Sequence, residues 1–319
     1  MKKPLLLIAL AALAADMQAQ LVDFDKIQSW TGEGENRAAL VITNDAGASD
    51  PHAYIWGYRW PAGETRTGDD MFKAICANNE NLVLLTQITG QYGSTVCGIG
   101  YGRADKLLEY IHFNFERAKE FEFINFDYYH ADSFYGQDEA PGDNTPAICQ
   151  AVIDEARTNH THVIQHPLDQ PRYGYPAYDY DCWEMDDEGM DYGWWNSAWY
   201  CGYWSYWTAS KTDTEWMYSG TGFTGRRLSD GCMDAWSFTM FDDPKVGGMG
   251  EGTAPTEDHE LYVYVPAKTQ TGIADAEITA TEAPEEYFTL TGMRVDRAHL
   301  APGVYIVRKG TATTKKYIR

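Results

Sequence analysis

The stretch from residue 199 to residue 238, WYCGYWSYWTASKTDTEWMYSGTGFTGRRLSDGCMDAWSF, limits the fold more than any other. It places Trp199, Trp204, Trp207, Trp216 and Trp236 within forty residues. Read as a strand, YWSYW puts Trp204 and Tyr206 on one face and Tyr203, Ser205 and Trp207 on the other. Both faces are aromatic, so polar alternation is missing where a solvated face normally shows it. The whole chain carries 11 Trp and 22 Tyr yet has a polar mean hydropathy of -0.46. That combination suits β-structure with aromatic faces and argues against a helical bundle. One side of these strands is expected to build the core and the other to form a ligand face.

The chain opens MKKPLLLIALAALAADMQAQ, with two lysines, a short apolar run and small residues around Ala19. This reads as a secretory signal peptide cut near Ala19 or Gln20. The run is shorter than the roughly 20 residues a membrane helix needs, and no later segment is apolar enough to be one. No cysteine lies near the cut, so a lipid anchor there is not expected. Formal net charge is -22, which repels nucleic acid and anionic membranes and favours solubility. Six cysteines in an exported chain suggest disulfides, with Cys201 and Cys232 as one pair because they flank a strand pair, or Cys182 with one of the two. No C-x-x-C occurs, which argues against a zinc ribbon or a redox dithiol.

The expected fold class is mainly β (α+β), with two short helices and a small C-terminal β module. AALVITND (38–45) and HAYIWGYRW (52–60) read as strands, the second with a wholly aromatic face of Tyr54, Trp56, Tyr58 and Trp60. TGDDMFKAICANN reads as a helix capped by Thr67 with Asp70 three residues on. NLVLLTQI and STVCGIGYG add strands, and NTPAICQAVIDEARTN reads as a helix entered through Pro146. LLEYIHFNFERAKEFEFINFDYY alternates enough to be strand, although its charges also permit a helix. THVIQHPL reads as a strand. Residues 171–195 read as a long, functional loop. AWYCGYWSYW, TEWMYSG, DAWSFTMF and ELYVYV resume the strands. Boundaries are expected at 1–19 (signal peptide), 20–265 (ligand-binding domain), 266–282 (linker) and 283–319 (C-terminal module).

The C-terminal EEYFTLTGMRVDRAHLAPGVYIVRKGTATTKKYIR resembles the shortened sorting modules of Bacteroidetes exported proteins, in which a GVYIV strand precedes a basic finish. That resemblance implies type IX secretion and a cell-surface or extracellular location. The ordered set TGDDMFKAICANN, YGSTVCGIGYG, YWSYW, EWMYSGTG and LSDGCMDAWSF is similar to the β-rich domain of intrinsic factor and transcobalamin. It resembles more closely uncharacterised secreted proteins with GYRW, TG.DM..AI and D-x-W-S-F. The first of these likenesses implies a cobamide or similar tetrapyrrole ligand; an outer-membrane transporter is a further expected partner. The residues falling on its motif are Tyr92, Trp204, Tyr206, Trp216, Tyr218, Asp230, Gly231, Trp236 and Phe238. Two departures stand out: the long interval before YWSYW, and Cys232 where the motif has a second Asp.

Other chemistries fit the same residues. A glycan would stack on rings of the 171–195 loop, namely Tyr173, Tyr175, Tyr178, Trp183 and Trp194, with Asp179, Asp181 and Glu184 bonding hydroxyls. The acidic run also suggests Ca²⁺ on Asp179, Asp181, Asp186 and Asp187, although EF-hand spacing is absent. His160, His162 and His166 are candidate metal ligands without a recognised spacing. A purely adhesive role is the third reading. No catalytic motif appears, so an enzyme is not expected; paired carboxylates for glycoside cleavage stay open because only their separation in space decides.

Overall fold

The computed structural model describes residues 21–44, 52–88, 93–114, 116–117, 146–167, 179–241 and 252–268, and four strands between 285 and 318. The proposed signal peptide and Tyr92, Tyr173, Tyr175 and Tyr178 lie outside the described residues. The chain divides into two compact units, Met1–Lys268 and Thr269–Arg319. The fold is β-rich with mixed sheets, as its alternating aromatic segments predict.

A seven-stranded sheet is the larger element of the first unit. β1 (Trp30–Thr31), β2 (Asn36–Thr43) and β3 (Ala53–Trp60) open the chain, and β2 and β3 pair antiparallel over their full length. Two antiparallel strands from much later, β10 (Gly202–Ala209) and β12 (Cys232–Met240), join it, β12 pairing parallel with β2. The two-residue β11 (Met217–Tyr218) borders β10. Along the other side of β3, β1 pairs with its second half and β13 (Tyr262–Tyr264) with its first, both parallel.

The second sheet runs β7 (Val163–Gln165), β4 (Leu82–Ile88), β5 (Ser94–Gly102), β9 (Gly193–Ser197), and a two-stranded pair joins β6 (Ile111–Phe113) to β8 (Trp183–Met185). Three helices are described: α1 (Gly68–Ala77), α2 (Ala104–Tyr110) and α3 (Pro146–Thr158). α1 begins as its sequence predicts. Thr67 Oγ1 accepts the Asp70 amide at 3.2 Å, and the Asp70 carboxylate accepts the Thr67 amide at 2.8 Å.

Period-two alternation sorts these strands into three cores. Leu40, Trp56, Trp60, Trp204, Tyr206, Trp236 and Phe238 face Met71, Phe72 and Ile75 of α1 and the near side of the second sheet. On the opposite face of the large sheet, Val41, Ile55, Met233 and Ala235 lie under Val22, Phe24, Ile27 and Trp216. Beyond the second sheet, Val83, Leu85 and Cys97 pack on Leu107 and Leu108 of α2, Ile153 of α3, and Tyr180, Cys182 and Trp183. Trp204 and Tyr206 of β10 therefore lie in the core between the sheets, while on its other face Ser205 is buried and Tyr203 and Trp207 are partly buried.

Three expectations need correction. No two of the six cysteines stand at disulfide distance, and all are thiols. For Cys201 and Cys232 the reason is topological. Each immediately precedes or begins its own strand, and antiparallel pairing of Gly202 with Met240 and Ala209 with Met233 puts those starts at opposite ends. At about 3.4 Å per residue, the two lie on the order of 25 Å apart. The strand reading of the segment from Leu107 gives way to the helix its charges also permit: residues 104–110 are helix and 111–113 strand, because Leu107 and Leu108 need the same buried side. Within the expected long loop, residues 183–185 and 193–197 are strands.

The second unit is one antiparallel sheet in the order β15 (Arg294–Val295), β14 (Glu285–Phe288), β16 (Gly303–Lys309), β17 (Ala312–Ile318). GVYIV begins β16, and the basic tail is itself the edge strand.

Candidate functional site

The sequence between Asp179 and Cys201 builds a cleft in the first unit. Tyr180–Cys182 form one 3-10 turn, β8 follows, a second turn spans Asp187–Tyr192, and β9 then runs along β5. Asp181 ties the two ends of this stretch together. Its Oδ2 accepts the amides of Trp199 and Tyr200 at 2.9 Å each, and its Oδ1 accepts that of Cys201 at 2.7 Å. A buried carboxylate with three amide donors fixes the turn into β10 far more firmly than a solvated acid would.

Trp195 forms one wall. It pairs with Gly100 on β5, and its indole lies across the strand's glycines. A Cβ on Gly98 would stand 2.7 Å from Trp195 Cζ2 and 2.8 Å from Ser197 Cβ, and one on Gly100 would stand 3.0 Å from Trp195 Cε3. The indole N–H donates to the Trp183 carbonyl at 2.8 Å. The ring is thus seated on a glycine floor, and the residue is partly buried. Gly98→Ala is expected to cost about 1–3 kcal/mol by overpacking. A urea titration checks the loss, and a shifted tryptophan emission would report the displaced indole.

The open cleft beside Trp195 has a volume of about 310 Å³. Its polar side is Arg117 and Glu184, joined by a guanidinium to carboxylate hydrogen bond, with Asn114 Nδ2 donating to the other Glu184 oxygen at 2.7 Å. Its apolar side is Met185, Met190, Met240 and Phe238. Met190 and Met240 are 65% and 57% exposed, unusual for large apolar residues. The Cys201 thiol also lines it, with a pKa pushed up to about 11 by burial and by the Asp181 carboxylate. A thiol held protonated is a poor nucleophile.

The residues singled out from the sequence do not share one face. Trp204, Tyr206, Trp216, Trp236 and Trp183 are all buried. Tyr206 stacks on Trp236 at 4.6 Å, and Trp194 stacks on Trp204 at 6.4 Å while packing against Tyr54 and Tyr101. Trp216 belongs to the core on the opposite side of the large sheet. Tyr218, 53% exposed on the short edge strand, hydrogen-bonds Tyr203 through the two hydroxyls at 2.9 Å. As placed, these rings offer a corrin no common open face. Asp230 and Gly231 act as a register device: Asp230 accepts the Arg37 amide at 3.1 Å, and the Gly231 amide, at φ +79°, donates to the Arg37 carbonyl at 2.7 Å.

The acidic and histidine candidates also part ways. Asp179 bonds His166 Nε2 at 2.9 Å, Asp181 holds backbone amides, and Asp186 and Asp187 are exposed. His162 Nδ1 lies 2.8 Å from the Asn79 carbonyl and His160 is exposed. Among the described residues, no three His, Cys, Asp or Glu side chains converge as a metal site requires. None of their helices is long and apolar enough to cross a membrane.

Sequence reasoning missed Trp195, Arg117 and Met240. A signal for Trp195 was present, since glycines two apart on one strand, Gly98 and Gly100, leave a groove that a large ring fills. In comparisons with known proteins, no family model, no curated protein and no solved structure matches the chain.

Proposed function

We propose that the protein is an exported, cell-surface or extracellular binding module whose ligand is a carbohydrate held in the Trp195 cleft. The observation that carries this reading is the pairing of a partly buried indole, seated on Gly98 and Gly100, with the Arg117 and Glu184 pair that lines the same open cleft and that Asn114 braces from behind Glu184 by its hydrogen bond. Sugars present an apolar C–H face to an aromatic ring and a rim of hydroxyls to polar groups, so one ring and one fork of donors and acceptors suffice. The cleft volume suits one or two sugar rings. Asp181, the second carboxylate lining the cleft, is committed to three backbone amides, and Glu184 to Arg117 and Asn114, which favours binding over hydrolysis.

Trp195→Ala is expected to weaken oligosaccharide binding at least about tenfold, as truncation of an aromatic anchor does, while Trp195→Phe retains part of it. Isothermal titration against a panel of oligosaccharides reads this, and equal affinities for wild type and Trp195→Ala would overturn the assignment. Cobalamin belongs in the same panel. A visible spectral shift on its addition would favour the cobamide reading, which then requires the large-sheet core to open around Trp204 and Trp236.

A further inference from the structure

The charges lining the cleft bear on which carbohydrates enter it. Among the described residues they are Arg117, Glu184 and Asp181, one cation against two carboxylates, within a chain of net charge -22. Arg117 is occupied by Glu184, whose other oxygen is taken by Asn114. A uronate or sialate reaching for the guanidinium would have to share it with Glu184 or displace it. Sharing places two negative groups side by side, and displacement leaves a carboxylate only 23% exposed without its cation. The surrounding negative field opposes the approach as well.

We infer that the cleft selects neutral glycans and rejects acidic ones, with Glu184 as the specificity-determining residue because it occupies Arg117. This rests on the carbohydrate reading above and deepens it to a substrate class.

The test is isothermal titration of the full chain with xylohexaose, mannohexaose and laminarihexaose against hexagalacturonate and hexaguluronate. In the wild type, the tightest neutral ligand is expected to bind at least about tenfold better than either uronate. Glu184→Gln removes the competing charge and is expected to shift the acidic-to-neutral affinity ratio by about tenfold toward the uronates. Added salt should erase that gain, and Arg117→Gln should not produce it. Uronates binding the wild type as well as neutral sugars would overturn the inference while leaving the carbohydrate reading standing. An unchanged ratio in a folded Glu184→Gln protein would do the same for the role of Glu184. If neither class binds, the carbohydrate reading falls and the selectivity with it. The wild-type ratio needs no variant to fold, so the inference is decided even if Glu184→Gln is unstable.

Discussion

Asp234→Ala is expected to lower stability by about 3–5 kcal/mol, the scale for removing one partner of a buried ion pair. Asp234 sits on β12, facing the core between the sheets, and is 1% exposed. Its Oδ2 accepts the Tyr206 hydroxyl at 2.5 Å and its Oδ1 accepts Arg226 Nε at 3.3 Å. Burial raises its pKa, while the Tyr206 hydroxyl and the Arg226 guanidinium work against that rise. Alanine would strand the guanidinium and the hydroxyl together. The start of α1 would lose its seat as well. A Cβ on Gly68 would lie 2.7 Å from the Tyr206 oxygen and 2.9 Å from Asp234 Oδ2, so the helix enters directly over this pair. Asp234→Asn keeps two hydrogen-bonding atoms and should cost less, about 1–3 kcal/mol. Urea midpoints of the two variants measure the difference, and an alanine variant within 1 kcal/mol of wild type, roughly the scale of an ordinary surface change, would refute the account.

A second large effect is expected in the pH dependence of stability. His166 and Asp179 are fully buried and bonded to each other, His166 Nδ1 lies 3.1 Å from Gln87 Nε2, and the Tyr180 hydroxyl donates to Gln87 Oε1 at 2.6 Å. Burial lowers the His166 pKa from 6.5 to about 3 and raises that of Asp179 well above 3.8. Between 3.8 and 6.5 the unfolded chain holds one proton on this pair, on the histidine; as far up as burial keeps the Asp179 carboxyl protonated the folded chain also holds one, and stability is flat there. Wherever that buried carboxyl is still protonated above 6.5, the unfolded pair has lost its proton and the folded pair keeps it. Stability then falls with rising pH, by up to about 1.4 kcal/mol per unit, until the buried carboxyl ionises. Below 3.8 the unfolded pair holds two protons against one, and stability falls as pH falls, down to about 3.

In Asp179→Asn the folded pair binds no proton near neutrality. Its alkaline loss should vanish, and its acid loss should begin at 6.5 instead of 3.8. Urea titrations of both proteins from about pH 4 to about pH 9 isolate this pair from the chain's other acids. Parallel wild-type and variant profiles would remove the pair from the account.

Much of the local architecture is legible in the sequence because it rests on nearest-neighbour chemistry. The Thr67 and Asp70 cap, the alternation in β2 and β3, and the apolar runs of β4 and β5 each declare their element. Which face of β10 is the more deeply buried is not legible, since Trp204 and Tyr206 on one side and Tyr203 and Trp207 on the other are equally aromatic. The burial follows from α1 and the second sheet covering the first pair, a long-range fact. The acids of the 179–191 run look alike on paper as well. Asp179 and Asp181 are drawn inward by His166 and by three backbone amides, whereas Asp186 and Asp187 stay in water. The cleft was the least legible feature because Arg117, the 184–195 stretch with Glu184 and Trp195, and Met240 come from three separated segments.

The parallel pairing of β2 with β12 carries a consequence for how the chain matures. Residues 36–43 cannot acquire that neighbour until residues 232–240 exist. Such long-range pairing makes for slow folding. Until it forms, Leu40, Val41 and Ile42 present a bare, apolar strand edge that other chains can join. A nascent chain stopped short of residue 232 is thus an aggregating species, and one that must stay extended needs a holding partner for that first hairpin.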